Sequence, residues 1–376
     1  MFGYTVVMLE EVAFHKFSDT VHIVTVTPSD PGVPTQAPTL YRRDVLDQPR
    51  ALTALLDAAG VVAALPSACG LGDRPRVVIS GMGSSHYATY ALWQALVRSG
   101  VPAWWIDTAQ LVDDLDRLLV PGTLLWLTSQ SGASGEVVRL LEELPSGVHV
   151  VGVTNNPQSP LGTAAHSRID LLAGDEATVS TKSYVNTVAV ARLVAAELVG
   201  TGSSVMGLLR DSVDTLSEYL IGLDEHVNAL TGFALDRTLL LTGRGEAAVS
   251  AQAGSLILKE AAKQPVEGMS GGTLRHGVIE LAGPALAVAF FDRATEPNRE
   301  RNLRLATDLA VRGTEIGWLG AAPHADFVSL ATPGPGAIDP TIGEALAFQT
   351  LSFALAERAG VTPGAFLVAS KVTNLL

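Results

Sequence analysis

Val77-Val78-Ile79-Ser80-Gly81-Met82-Gly83-Ser84-Ser85 decides the fold. A short apolar run, too brief for a helix, stops at a glycine-x-glycine turn and passes into a helical stretch, Tyr87–Arg98. The same grammar recurs at Leu124–Thr128, where Ser129-Gln130-Ser131-Gly132-Ala133-Ser134 leads into the helix Glu136–Leu144. Further short runs follow at Ala103–Ile106, His149–Thr154 and Ile169–Ala173, with a short acidic helix near Leu111–Leu118 and a long one from Ser180 to Leu198. Apolar runs without two-residue alternation, interleaved with helices, predict βαβ units and a parallel sheet covered on both faces.

The pattern repeats downstream. Strands are expected at Thr238–Thr242, Ala285–Phe291, Ile316–Leu319 and Val328–Ala331, and helices at Ala248–Ala262, Asn298–Arg312 and Ile342–Ala359. The fold class is therefore α/β: two similar doubly wound parallel-sheet domains in tandem. The expected segments are an N-terminal extension (1–36), lead-in helices (37–69), a first domain (70–210), a helical linker (211–231), a second domain (232–360) and a tail (361–376). One helix is expected from Asp44 to Ala59, and a short strand from Val21 to Val26 within a proline-punctuated extension.

A chain of 376 residues with 47% hydrophobic and 17% charged residues has material for a large core, which excludes wholesale disorder. Its 25 basic and 38 acidic residues sum to −13, which argues against nucleic acid as partner, since phosphate backbones require clustered Lys and Arg. The single cysteine, Cys69, excludes an intrachain disulfide and a cysteine-built metal cage. No apolar run reaches the ~18 residues of a membrane span. Glu10 and Glu11 precede any basic residue, unlike a signal peptide. A cytoplasmic protein with no membrane partner is expected.

The chemistry gathers at the turns. Ser84, Ser85, Ser129, Gln130, Ser131 and Ser134 follow strands at the carboxyl edge of a parallel sheet, where open α/β sheets bind ligands. Ser180-Thr181-Lys182 stands at a third helix start. Hydroxyls beside unpaired helix N–H groups suit a small phosphate, the alternative being that the serines merely cap helices. A dinucleotide fold competes: Gly81-x-Gly83-x-x-His86 lacks the third glycine, and Gly243-x-Gly245-x-x-Ala248 fits the looser form but is followed by no acidic residue closing a strand about 20 residues on. Three residues stand out later: Glu260 in an alanine-rich helix, His276 after a glycine-rich loop at 268–272, and Lys371 in an apolar tail. A buried carboxylate can shuttle protons, a histidine can open a ring near neutral pH, and a desolvated amine can attack a carbonyl. Taken singly, each is more often structural.

In order, these motifs resemble the isomerase half of glutamine–fructose-6-phosphate aminotransferase and its relatives, proteins with two sugar isomerase (SIS) domains. The matching stretches are Asp47-Gln48-Pro49, Leu127–Gly132, Ser180-Thr181-Lys182, Leu258-Lys259-Glu260, Leu274–Gly277 and Ala369–Thr373. The resemblance implies a sugar phosphate held by Ser85, Ser129, Gln130, Ser131, Ser134 and Ser180, with Ser84 nearby. Glu260 moves the proton between C1 and C2, His276 assists ring opening from a neighbouring subunit of a homodimer, and Lys371 forms the Schiff base. No cofactor and no metal are implied. The family's lysine three residues before the glutamate is Ile257, its glutamate before the histidine is Thr273, and its proline after His-Gly is Val278; one residue is missing between Glu176 and Ser180. Ile257 is expected on the same helix face as Glu260, with Lys259 pointing away. With no cysteine at position 2, the chain is expected to lack the glutaminase function. The implied activity is isomerisation or deamination of an amino-sugar 6-phosphate. Fructosamine-phosphate deglycation and a non-catalytic sugar-phosphate sensor remain as alternatives.

Overall fold

The computed structural model describes residues 38–293, 298–319, 323–330, 338–368 and 370–371. The extension 1–36, its expected strand Val21–Val26 and the tail beyond Lys371 lie outside the described residues. The described residues from Thr39 onward form one compact unit.

The first lobe holds five parallel strands, β1 (Val77–Gly81), β2 (Ala103–Asp107), β3 (Leu124–Thr128), β4 (His149–Thr154) and β5 (Ser167–Asp170), in the order β2-β1-β3-β4-β5. The second holds β6 (Thr238–Gly243), β7 (Glu267–Ser270), β8 (Leu286–Phe291), β9 (Glu315–Leu319) and β10 (Val328–Leu330), in the order β10-β9-β8-β6-β7. Counted within each lobe, both sheets run 2-1-3-4-5, the doubly wound flavodoxin-like order. The central strands β1, β3, β6 and β8 are buried almost throughout, because helices cover both faces.

Three elements correct the sequence reading. The single lead-in helix divides into Leu40–Leu46, Gln48–Asp57 and Ala59–Ala68; Pro49, in the first turn of the second piece, suits a helix start rather than an interior. The glycine-rich loop at 268–272 contains the edge strand β7, where a Cβ on Gly268 would lie 2.2 Å from the Ala251 carbonyl oxygen. The fifth strand pairs from Ser167 rather than Ile169 and ends at Asp170, just before Leu172 turns to φ 52°. The stretch read as a helical linker carries the helices Gly202–Ile221 and Leu223–Leu230.

Helix Lys182–Leu198 is buried along most of its length, and so are Glu246–Ala262 and Pro340–Arg358, so a continuous core joins the two lobes. No single helix among the described residues is long and apolar enough to cross a membrane.

Candidate functional site

The order 2-1-3-4-5 reverses direction between β1 and β3, and the turns leaving those two strands open a crevice at the carboxyl edge of the first sheet. A cavity of about 440 Å³ occupies it, the size of a small-ligand site. Ser84, Ser85, Ser129, Gln130, Ser131, Ser134, Ser180, Glu260 and Lys371 all line it. His276 does not: it is exposed at the end of the short helix Gly271–Arg275, away from this chain's own cavity.

The capping alternative fails at two helix starts around the cavity, those at Ser134 and Thr181, and at a third the N-cap is a glycine with no side chain to offer. Gly83 precedes Ser84–Tyr87, Ser134 precedes Gly135–Glu142 and Thr181 precedes Lys182–Leu198, and neither Ser134 nor Thr181 accepts a capping hydrogen bond through its side chain. Two serines do shape their own loop: Ser129 Oγ accepts from Gly132 N at 3.1 Å, and Ser131 Oγ accepts from Ala133 N at 3.3 Å. In these bonds the hydroxyls are acceptors, so each keeps its own O–H to donate. Gly132 takes φ 63°, and a Cβ there would overlap Ser159, so this turn requires glycine.

Ser180 Oγ lies 3.0 Å from Ser183 Oγ. Lys182, in the same motif, is buried facing away from the cavity: its Nζ donates to Asp47 Oδ2 at 3.0 Å and to the Asp175 carbonyl at 2.7 Å. It ties the turn to the lead-in helices instead of meeting a ligand. Asp44, fully buried beside it, accepts from Ala177 N at 2.9 Å.

Glu260 enters from helix Glu246–Ala262. Burial raises its carboxyl above the ordinary glutamate value, while the charges of Lys371 and Lys263 partly oppose that rise. The cavity neighbour on its helix is Leu256, one turn back; Ile257 is sealed in the core, which corrects the expectation that it shares the Glu260 side. Lys259 points outward as expected and pairs with Glu267 at 3.5 Å. Lys263 ends the helix in a left-handed turn (φ 56°), and its Nζ donates to the carbonyls of Glu260 and Ala365. With Gly364 N donating to the Ala261 carbonyl at 3.0 Å, this seats the C-terminal segment, and Phe366, Ser370 and Lys371 reach the cavity.

The surroundings of Lys371 differ from the apolar tail that sequence suggests. Its Nζ stands 3.0 Å from Glu176 Oε2 and also donates to the Thr178 carbonyl. Glu176 is the residue that sequence reasoning passed over, using it only to count spacing. Burial would raise its carboxyl, but the Lys371 charge and the Ser183 and Thr181 hydrogen bonds prevail and lower it. The signal available was the acidic pair Asp175-Glu176 running into the hydroxyl-rich stretch 178–183.

The family model described as SIS domain matches residues 70–197, the first lobe with its serine turns. Among curated proteins the chain is similar to glutamine–fructose-6-phosphate aminotransferase (isomerizing) of Pyrococcus horikoshii, 28% identical over 255 residues, covering 65% of this chain and 42% of the relative. The chain thus spans about half the length of the curated relatives it matches or less. Among solved structures it resembles the C-terminal domain of glucosamine-fructose-6-phosphate aminotransferase from Francisella tularensis, with TM-score 0.76, 19% identity, and 89% and 99% of the two chains covered. Glucosamine-6-phosphate deaminase from Thermotoga maritima superposes with TM-score 0.68 at 17% identity, covering 90% and 100%. At these identities the superpositions establish the fold.

Proposed function

We propose that this chain is a phosphosugar-processing enzyme of the double-SIS type, acting on an amino-sugar or ketose 6-phosphate by aldose–ketose isomerisation or deamination. One observation carries the reading: Glu260 and Lys371 line the same cavity as the serine turns. A terminal phosphate takes hydrogen bonds from the hydroxyls of Ser85, Ser129, Ser131, Ser134 and Ser180 and from Gln130, with Ser84 nearby. Anchoring the sugar there fixes its open-chain carbonyl near the amine, so attack becomes effectively intramolecular. Lys371, having released a proton to solvent, adds to C2. The carbonyl oxygen leaves as water, taking the two protons remaining on nitrogen, and a neutral imine results. Glu260, its carboxyl raised by burial, takes the proton from one carbon and returns it to the other. His276 serves the site of a neighbouring copy in a homodimer, opening the sugar ring.

The test is incubation with a panel of hexose and hexosamine 6-phosphates. Ammonia release or aldose–ketose conversion is expected, with loss of turnover in Glu260→Gln. Saturable binding of the same sugars without turnover would replace the enzyme reading with that of a sugar-phosphate sensor.

A further inference from the structure

The Glu176 carboxylate touches more of the site than any motif reading gives it. Oε1 accepts from Thr181 N at 2.9 Å, Thr181 Oγ1 at 3.1 Å and Ser183 N at 3.0 Å. Oε2 accepts from Ser183 Oγ at 2.7 Å and faces Lys371 Nζ at 3.0 Å. The side chain is fully buried, whereas Lys371 is a quarter exposed. A buried carboxylate with both oxygens engaged is costly to move, because any displaced oxygen leaves a desolvated charge unpaired.

We infer that Glu176 is a positioning residue of this site: one carboxylate fixes the turn that presents Ser180 and holds the Lys371 amine at the cavity wall. The inference rests on the proposed role of Lys371. It accounts for a lysine six residues beyond the point where Lys263 holds the Ala365 carbonyl. Lys263 grips Ala365, and six residues on Glu176 grips Lys371, so the segment between them is fastened at both ends. It also joins two halves of the site that lie 195 residues apart in sequence. The other charged groups facing the cavity are Glu260, from the helix that Lys263 ends, and Glu136, from the helix after β3. Behind the turn, Lys182 is neutralised by Asp44 and Asp47. Glu176 is thus the carboxylate in hydrogen-bond contact with the amine.

The test uses the whole chain and reads Lys371 directly. Reductive methylation with formaldehyde and cyanoborohydride at pH 7 is followed on the Lys371 peptide by mass spectrometry, with no sugar present. Glu176→Gln replaces the charged hydrogen-bond partner of the Lys371 amine with a neutral one, and methylation is expected to rise roughly three- to tenfold. Glu176→Asp, which withdraws the carboxylate while keeping its charge, should raise it less. Borohydride trapping of a ketose 6-phosphate on Lys371 should fall about tenfold in Glu176→Gln and partly recover in Glu176→Asp. Wild-type methylation in both variants overturns the inference, and the aspartate variant decides alone if the glutamine variant does not fold. A wild-type chain that traps no sugar, yet whose methylation responds to Glu176→Gln, refutes the proposed reaction and leaves the positioning contact standing. Trapping on Lys371 that is indifferent to Glu176→Gln does the reverse.

Discussion

Gly83 and Gly245 adopt one backbone conformation at matching places in the two lobes: φ 51°, ψ −124° in the first and φ 60°, ψ −131° in the second. Each follows the first strand of its lobe by two residues and starts the helix behind it. That region of backbone space belongs to glycine. The two lobes therefore share a turn but use it differently. After Gly83 come Ser84 and Ser85, open to the cavity. After Gly245 comes Glu246, which pairs with Arg192 at 2.6 Å and with Arg293, while Arg293 also pairs with Glu344 at 2.6 Å. In the second lobe the switch point is filled with ion pairs.

Gly83→Ala should strain the first of these turns. The conformational cost is about 1–3 kcal/mol, and the new Cβ would lie 3.0 Å from Leu256 Cδ2. The expected outcome is a lower Tm by thermal denaturation and weaker sugar-phosphate binding by calorimetry, because Ser84 and Ser85 hang from this turn. An unchanged affinity would remove the turn from the site.

Ser134 and Ser129 should separate binding from stability. Ser134 stands at an N-cap without capping, so Ser134→Ala is expected to leave Tm nearly unchanged. Loss of one hydrogen bond to a charged phosphate should cost about 1.5–3 kcal/mol of binding. Ser129→Ala also breaks the bond to Gly132 N, so it should lower both affinity and Tm. Equal Tm losses in the two variants would return Ser134 to a capping role.

The Glu246 cluster should make the fold acid-sensitive. Burial would raise this carboxyl, but Arg192 and Arg293 override it and hold it at about 2. A carboxyl lowered by folding stabilises the native state above its unfolded value near 4.5, and that contribution drains away as pH falls through 2. The full span is on the order of 3 kcal/mol. Denaturant unfolding across that window should show the loss. Glu246→Gln should be less stable at neutral pH and show a flatter acid dependence.

The parallel strands were legible because their apolar runs are continuous: β3 and β4 fall at the residues expected from sequence, Leu124–Thr128 and His149–Thr154. β7 was not, since an edge strand made of Glu267, Gly268, Met269 and Ser270 carries no β-branched signal, and its glycine answers to the backbone of Ala251. The serine turns were visible as punctuation after strands. The partner of Lys371 was hidden: a tail of apolar residues predicts desolvation, whereas the amine meets a carboxylate from a distant turn. Contacts of that separation leave no periodic trace in the chain. The same holds for Leu256, whose cavity face is decided by how the helix rolls against the core rather than by spacing from Glu260.

His276 gives the prediction on which a shared site depends. It is solvent-exposed and outside the cavity of its own chain, although its flanking motif falls in order with the others. If a neighbouring copy receives it, His276→Ala and Glu260→Ala should each be inactive alone. Mixed under conditions that exchange subunits, half of the dimers pair one variant with the other. Each such dimer then has one site combining an intact Glu260 with the other subunit's intact His276, and one site lacking both. An equal mixture should recover about a quarter of wild-type turnover, since in a two-fold dimer each site draws on both chains. Subunit exchange is verified by native mass spectrometry of differently tagged variants. Exchange without recovered activity would place His276 outside the reaction.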